Sequence, residues 1–244
     1  MVSKVKKYFS EFKLLMSEIP AWALTMFVVS IVLMNLFANK SINLPFSWLA
    51  LDCGIIFAWA PFLSMDLIVK HFGAKASIKV SLLATAINVV VSVLFFIAAM
   101  IPGMWGESFN FADMNSINQA LDNTVKGNWY ILFGSTVAFV VASIVNAITN
   151  EFVGKLSRKD TYGMFTLRTY ASTFIGQFVD NLVFSLIVSQ ILFGWTLTQC
   201  FFCALTGAVV ELLMEALFTP IGWKVCKKWK ERNVGQKYLS HVSG

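Results

Sequence analysis

The sequence predicts an all-α, polytopic membrane protein of about six transmembrane helices with cytoplasmic N- and C-termini. Of the 244 residues, 57% are apolar and only 13% are charged, whereas a soluble domain is about one quarter charged. Because so few polar residues could not cover a soluble fold, lipid must contact most of the surface. We therefore expect residues 1–244 to form a single transmembrane domain.

Six apolar runs are each long enough for one helix across a hydrocarbon core of about 30 Å, which needs roughly 20 residues. The first run follows a lysine-rich start, but it is too long for the apolar core of a typical signal peptide, so we expect a retained helix. The six predicted helices cover residues 19–38, 45–65, 78–101, 129–150, 170–193 and 196–223.

The basic residues predict the orientation of these helices. With the N-terminus inside, all of the 19 Lys and Arg residues except Lys40 and Lys126 fall in inner segments. Cytoplasmic segments of membrane proteins carry such an excess of basic residues. The pattern therefore predicts an even number of spans in the cell membrane, and it explains the net charge of +6 without nucleic-acid binding.

Several polar side chains interrupt the apolar runs, where they are costly and usually face a cavity or a polar partner. The second predicted helix carries Asp52, with Trp59 on the same helical face. The third carries Asn88 in a stripe with Ser81, Thr85 and Ser92. Such a stripe either faces a ligand site or forms hydrogen bonds to a neighbouring helix.

A paired pattern follows in the next two helices. The fourth predicted helix reads Asn146-x-x-Thr149-Asn150, and the fifth reads Gln177-x-x-Asp180-Asn181. Each set lies on one helical face, so the two faces can converge on one site. The predicted ligand-binding residues are Asp52, Trp59, Asn88, Asn146, Asn150, Gln177, Asp180 and Asn181.

Glu211 and Glu215 lie one helical turn apart in the sixth predicted helix. Two neighbouring carboxyl groups in a medium of low dielectric constant do not both ionise readily, so one of them can carry a proton. We predict that this pair couples proton movement to transport; the alternative is pairing with Arg168 or lysines at the inner face. Asp66, near the inner end of the second helix, is interpreted as part of the inner mouth or as an ion-pair partner there.

The residue types argue against an enzyme active site and favour the binding of a small nitrogen-rich solute. The only histidines, His71 and His241, lie outside the apolar runs, and no metal-ligand cluster or activated nucleophile is visible. We therefore expect no enzyme activity, catalytic residue, metal or cofactor. Amides and carboxylates offer donors and acceptors to a flat, nucleobase-like or vitamin-like ring. The expected partners are this solute and the lipid bilayer, not nucleic acid, and a homo-oligomer is left open.

One stretch also resembles a known family. Residues 168–184, RTYASTFIGQFVDNLVF, resemble the helix-five signature of the queuosine-precursor transporter family, also called the vitamin-uptake transporter family. Residues 61–76 are similar to the family's helix-two exit, and Thr219-Pro220 to its closing TP. Lys70 stands where the family usually carries an acidic residue, which indicates a divergent branch.

The resemblance implies uptake of a deazaguanine, such as 7-cyano-7-deazaguanine or queuine, without a dedicated ATPase. It also implies that Gln177 and Asp180 contact the base and that Arg168 lies at the inner mouth. Two alternatives remain open. One is the substrate-binding subunit of an energy-coupling-factor vitamin transporter, and the other is a structural membrane protein without a solute.

Overall fold

The computed structural model describes residues 2–110, 112–156 and 162–243. Within these ranges, the side chains of residues 2–5, 59, 62, 66, 74, 143, 146, 147, 150, 151, 153–156, 162–169, 172, 215, 219 and 243 are outside the described part. In the described residues the structure is almost entirely helical, and its only strands form one two-residue pair.

Six longer helices form the body of the molecule. They are α2 (Ala21–Phe37), α3 (Trp59–Phe72), α4 (Ala74–Ala98), α5 (Met114–Leu156), α6 (Tyr162–Phe184) and α8 (Leu197–Glu231). The shorter elements are α1 (Val2–Glu18), β1 (Ser41–Ile42), β2 (Leu51–Asp52), α7 (Gln190–Phe193) and α9 (Gln236–Ser243). Four helices in the described residues are long and apolar enough to span a membrane, or five spans if α1 and α2 are counted as one bent pair. The prediction of an all-α, polytopic membrane protein is confirmed.

The helices α1 and α2 meet at a bend of 106° near Pro20, so α1 does not continue the direction of α2. That α1, with its lysine-rich sequence, lies outside the membrane-spanning segments stays a prediction. Leu15 of α1 packs with Leu67 of α3, Val80 of α4 and Tyr238 of α9 in one buried cluster. Both terminal helices therefore lie on one side of the molecule, whereas an even number of spans stays a prediction. That this side faces the cytoplasm stays a prediction.

The second predicted helix is wrong over its first two thirds, because residues 45–58 do not form a continuous helix. β1 and β2 pair as a short antiparallel hairpin, a 3-10 turn covers Cys53–Ile56, and α3 begins only at Trp59. Asp52 caps this turn by accepting the Gly54 N–H at 2.8 Å. An added Cβ at Gly54 would lie 2.7 Å from the carbonyl oxygen of Met34, so only glycine permits this close packing on α2.

This correction has a physical reason. An apolar run without clear periodicity does not distinguish a helix from buried irregular chain. Irregular backbone is tolerated at membrane depth where it is buried in protein. The 14 residues of α3 are about 21 Å long, which is too short to cross the hydrocarbon core alone.

The other predicted spans correspond to observed helices with different ends. α5 is the largest extension, because its 43 residues give a length of about 65 Å and continue beyond a hydrocarbon core of about 30 Å. The fifth predicted helix is interrupted, since α6 ends at Phe184 and a π-helical turn over Ser185–Ser189 connects it to α7.

Candidate functional site

A cavity of about 400 Å³ lies between the six longer helices, and α2, α3, α4, α5, α6 and α8 all contribute to its wall. Its polar lining consists of Asn35, Ser81, Thr85, Asn88, Ser135, Thr136, Thr173, Gln177, Asp180 and Glu211. Among the described residues that line it there is no Lys, Arg or His. The cavity therefore presents two carboxyl groups and three amides without a compensating basic side chain from the described wall.

The polar stripe of α4 makes two kinds of contact. Ser81, Thr85 and Asn88 line the cavity. Ser92, one turn further along, instead accepts a hydrogen bond from Asn128 Nδ2 at 3.1 Å and so ties α4 to α5. The interpretation as a hydrogen bond to a neighbouring helix is therefore confirmed for Ser92, whereas ligand binding by Ser81, Thr85 and Asn88 stays a prediction.

Helix α6 presents Thr173, Gly176, Gln177 and Asp180 to the cavity, with the three- and four-residue spacing of one helical face. The Oδ1 atom of Asp180 is buried and has no hydrogen-bond partner in the described part of the chain. Two residues of the predicted polar face, Gln177 and Asp180, thus line the cavity.

Glu211 reaches the cavity from α8, and its side chain is almost completely buried. One oxygen, Oε1, accepts a hydrogen bond from Asn181 Nδ2 at 3.4 Å, while Oε2 has no partner among the described groups. The carboxyl groups of Glu211 and Asp180 also interact electrostatically. A proton or a hydrogen-bond donor between them would therefore relieve repulsion between like charges.

Asn181 lies between α6 and α8 rather than in the cavity wall. Its Nδ2 atom donates to the Gln177 carbonyl at 2.9 Å as well as to Glu211. An added Cβ at Gly207 would lie 2.8 Å from the same Nδ2 atom, so the absence of a side chain at Gly207 makes room for Asn181. Asn181 is thus placed to orient Glu211, and it is not among the residues that line the cavity.

Three unsatisfied polar atoms meet around this cavity: Asn88 Nδ2, Asp180 Oδ1 and Glu211 Oε2 are buried without a hydrogen-bond partner among the described residues. A buried polar group without a partner costs free energy, typically about 1–3 kcal/mol. Such groups are retained where a ligand or water supplies the missing bond. A donor and two acceptors around one space are therefore the strongest indication of a binding site.

The remaining predicted site residues do not join this group in the described structure. Asp52 caps the 3-10 turn and does not line the cavity, because residues 45–58 are not the helix that would have aligned it with Trp59. The other predicted side chains lie outside the described residues: Trp59, Asp66, Asn146, Asn150, Arg168 and Glu215.

Four polar lining residues, Asn35, Ser135, Thr136 and Thr173, were not predicted from the sequence. Asn35 is a single amide within the apolar run of α2, and that isolated polar residue was the signal available in the sequence. In the structure its side chain is buried. Ser and Thr give a weak signal because their hydroxyl groups can bond their own helix. Thr136, for example, donates to the Leu132 carbonyl at 2.8 Å.

Comparison with known proteins gives one family match. The family model described as "Putative vitamin uptake transporter" matches residues 52–225, which is more than two thirds of the chain. No curated protein and no solved structure matches the chain significantly. The matched range contains α3 to α6, the cavity-lining part of α8 and every proposed carboxylate of the site.

Proposed function

The chain belongs to the vitamin uptake transporter family, and on that premise we propose that it imports a queuosine precursor or a related deazaguanine base across the cell membrane. The observation that carries this proposal is the cavity with a buried amide donor and two buried carboxylate acceptors unpaired among the described residues. A guanine-like edge offers adjacent N–H donors and a carbonyl acceptor, which is the complementary pattern.

We assign the base contacts to the lining residues with unsatisfied groups. Asp180 accepts the N–H donors of the base, Asn88 donates to its carbonyl oxygen, and Gln177 adds a donor and an acceptor. The rings of Phe27, Phe139 and Phe218 in the wall supply aromatic surface for stacking. An anionic, phosphorylated solute is disfavoured, because the described wall offers carboxyl groups and no cation.

We propose that Glu211 carries the coupling proton. Glu211 lines the cavity together with Asp180, and its Oε2 atom has no hydrogen-bond partner among the described residues. Binding a proton there removes the repulsion between the two carboxyl groups. Glu215 remains a proposed second proton site one turn along α8, and Asp66 and Arg168 remain proposed residues of the inner mouth.

Asn146 and Asn150 remain proposed contributors from α5, and Trp59 from α3, because both helices form part of the cavity wall. Asp52 is not included in the proposed base contacts. Its carboxylate is already engaged in capping the turn before α3. The proposed role of Asn181 is to hold Glu211, rather than to contact the base.

The proposal is tested by uptake of labelled queuine into liposomes that contain only the purified chain, with unlabelled bases as competitors. We expect uptake that rises with an inward proton gradient and falls by at least about tenfold in Asp180→Asn, since one charged hydrogen bond is worth about 1.5–3 kcal/mol. Asp113→Asn, the same change at an exposed residue, is the matched control and should transport normally.

The base contact, the proton coupling and transport by the chain alone can each be contradicted separately. Wild-type uptake by Asp180→Asn would exclude the assigned base contact. Uptake that ignores a collapsed proton gradient, or that stays gradient-dependent in Glu211→Gln, would exclude the coupling role. Solute binding without uptake by the chain alone would favour the substrate-binding subunit of an energy-coupling-factor transporter, which needs other chains.

A further inference from the structure

The π-helical turn Ser185–Ser189 interrupts the helical rod one turn beyond Asp180 and Asn181. A π turn contains one residue more than an α turn, and such turns are rare and frequently occur at functional sites. Here the Gln190 N–H bonds to the Ser185 carbonyl, five residues back. The turn therefore separates the cavity-lining half of α6 from α7 at its outer end.

Two side-chain hydroxyl groups donate hydrogen bonds to backbone carbonyl groups in the turn or just before it. The Tyr130 hydroxyl of α5 donates to the Ile187 carbonyl at 2.7 Å. The Ser185 hydroxyl donates to the Asn181 carbonyl at 2.7 Å. The first bond links the turn to α5, and the second links it to the residue that orients Glu211.

The packing of α5 is shaped to this turn. Gly134, one helical turn after Tyr130, lies so close that an added Cβ would be 2.1 Å from Val188 Cγ2. Val188 is completely buried, together with Ile131. Tyr130 and Gly134 thus form one face of α5 that receives the wider turn.

One group does not fit the π form. The Ser189 hydroxyl is buried and has no hydrogen-bond partner among the described residues. In an α-helical register, a serine hydroxyl can donate to the carbonyl four residues back, which here is Ser185. A second register of the same segment would therefore satisfy the group that the π form leaves unpaired.

We infer that Ser185–Ser189 is a hinge that switches between π and α registers, and that Tyr130 is the positioning residue that holds it in the π form. When the turn changes from the π to the α register, the hydrogen bonding shifts by one residue. This shift rotates α7 by about 100° relative to the cavity-lining half of α6. Phe193, at the end of α7, packs against Trp195 in the cluster that includes Ala50 and Cys203. The rotation would thus change the packing of α7 against this cluster, while the cavity-lining face of α6 would stay in place.

This inference rests on the proposed transport function for its purpose, but its test does not. Hydrogen–deuterium exchange of the backbone over residues 185–193 is measured on the purified full chain in nanodiscs. In Tyr130→Phe, exchange should be about fivefold faster, which corresponds to the loss of one hydrogen bond. In Ser189→Ala it should be slower, because the variant removes a group that only the α register satisfies.

Tyr8→Phe, the same chemical change at an exposed ring of α1, is the control and should exchange like the wild type over these residues. Uptake is measured in parallel, and we expect both hinge variants to transport more slowly with solute affinity within about threefold of the wild type, since the cavity wall is unchanged. Opposite changes in exchange support the hinge. Unchanged exchange in either folded variant, or a change of the same sign in both, overturns it.

The two variants also protect the test against misfolding and against failure of the proposed function. If Tyr130→Phe does not fold, Ser189→Ala still decides, since it removes only an unpaired hydroxyl group, and unaltered exchange in it overturns the hinge. If no deazaguanine is bound or transported by the wild type, the proposed function fails, whereas the exchange measurements still support or overturn the hinge.

Discussion

Asn88 and Ser92 lie one turn apart on α4 and illustrate how a single polar residue serves either binding or stability. The Ser92 hydroxyl accepts a bond from Asn128, whereas Asn88 Nδ2 has no partner in the described part of the chain. Both side chains are buried. A satisfied polar group stabilises a fold modestly, while an unsatisfied one destabilises it until a ligand binds.

This contrast predicts opposite effects of two substitutions. Asn88→Leu replaces the unpaired amide with an apolar side chain of similar size, so we expect unchanged or increased thermal stability and loss of solute binding. Ser92→Ala leaves the Asn128 amide without its acceptor, so we expect a loss of about 1 kcal/mol in stability and retained binding. Melting temperatures with and without solute measure both effects. Destabilisation by Asn88→Leu with retained binding would contradict the assigned role.

At the scale of elements, a largely buried ion pair joins α1 to α4. Lys79 Nζ lies 2.6 Å from Glu11 Oε2, and the two side chains are 5% and 19% exposed. The Lys79 ammonium group also lies over the rings of Tyr8 and Tyr238. The terminal helices therefore share one buried cation at the start of α4.

The stability from this pair should depend on pH in a defined direction. The hydrogen bond from Lys79 lowers the pKa of Glu11 below its ordinary value. A carboxyl group whose pKa is lowered by folding stabilises the fold above its unfolded pKa of about 4.3, and this contribution is lost as the pH falls through the folded pKa. The pair thus contributes at pH 7 and not at strongly acidic pH.

We expect Glu11→Gln to lower the melting temperature at pH 7 and to have little effect at strongly acidic pH, below the folded pKa, where the wild-type carboxyl group is protonated as well. The loss should be about 1 kcal/mol, because the pair is partly exposed to solvent screening. The double variant Glu11→Gln/Lys79→Met is the control, since it removes the uncompensated cation and should recover stability at pH 7. An equal effect of Glu11→Gln at both pH values would argue against the linkage.

At the scale of the whole molecule, the helices surround the cavity and leave the two termini on one side. Tyr238 of α9 and Leu15 of α1 are buried in one cluster with the ends of α3 and α4. The N-terminal extension of α5 lies at the other side, where Trp105 Nε1 donates to Asp122 at 2.8 Å. The positive-inside rule predicts that the side with the termini faces the cytoplasm.

This orientation predicts which introduced cysteines react from outside intact cells. In a Cys53→Ser background, Ser116→Cys on the α5 extension should be labelled by a membrane-impermeant thiol reagent. Ser240→Cys on α9 should be labelled only after the membrane is permeabilised. Both serines are exposed, and the other native cysteines are buried. Labelling of Ser240→Cys in intact cells would reverse the assigned topology.

The sequence by itself determined the membrane class, the existence of five of the six predicted spans as helices, and the polar faces of α4 and α6. These features follow from composition and from periodicity along one chain, since residues three or four apart share a helical face. Asn88, Gln177, Asp180 and Glu211 could therefore be selected before any contact was known, and the family resemblance rested on the same stretch.

Only the tertiary structure decided which polar groups share a cavity and which satisfy one another. Asp52 and Asp180 look alike in the sequence, yet one caps a turn and the other faces the cavity. Asn181 orients Glu211 because Gly207, on another helix, leaves room for it. The π turn fits against Gly134 in the same way. Such outcomes depend on which side chain lies opposite in space, and helical periodicity carries no information about that partner.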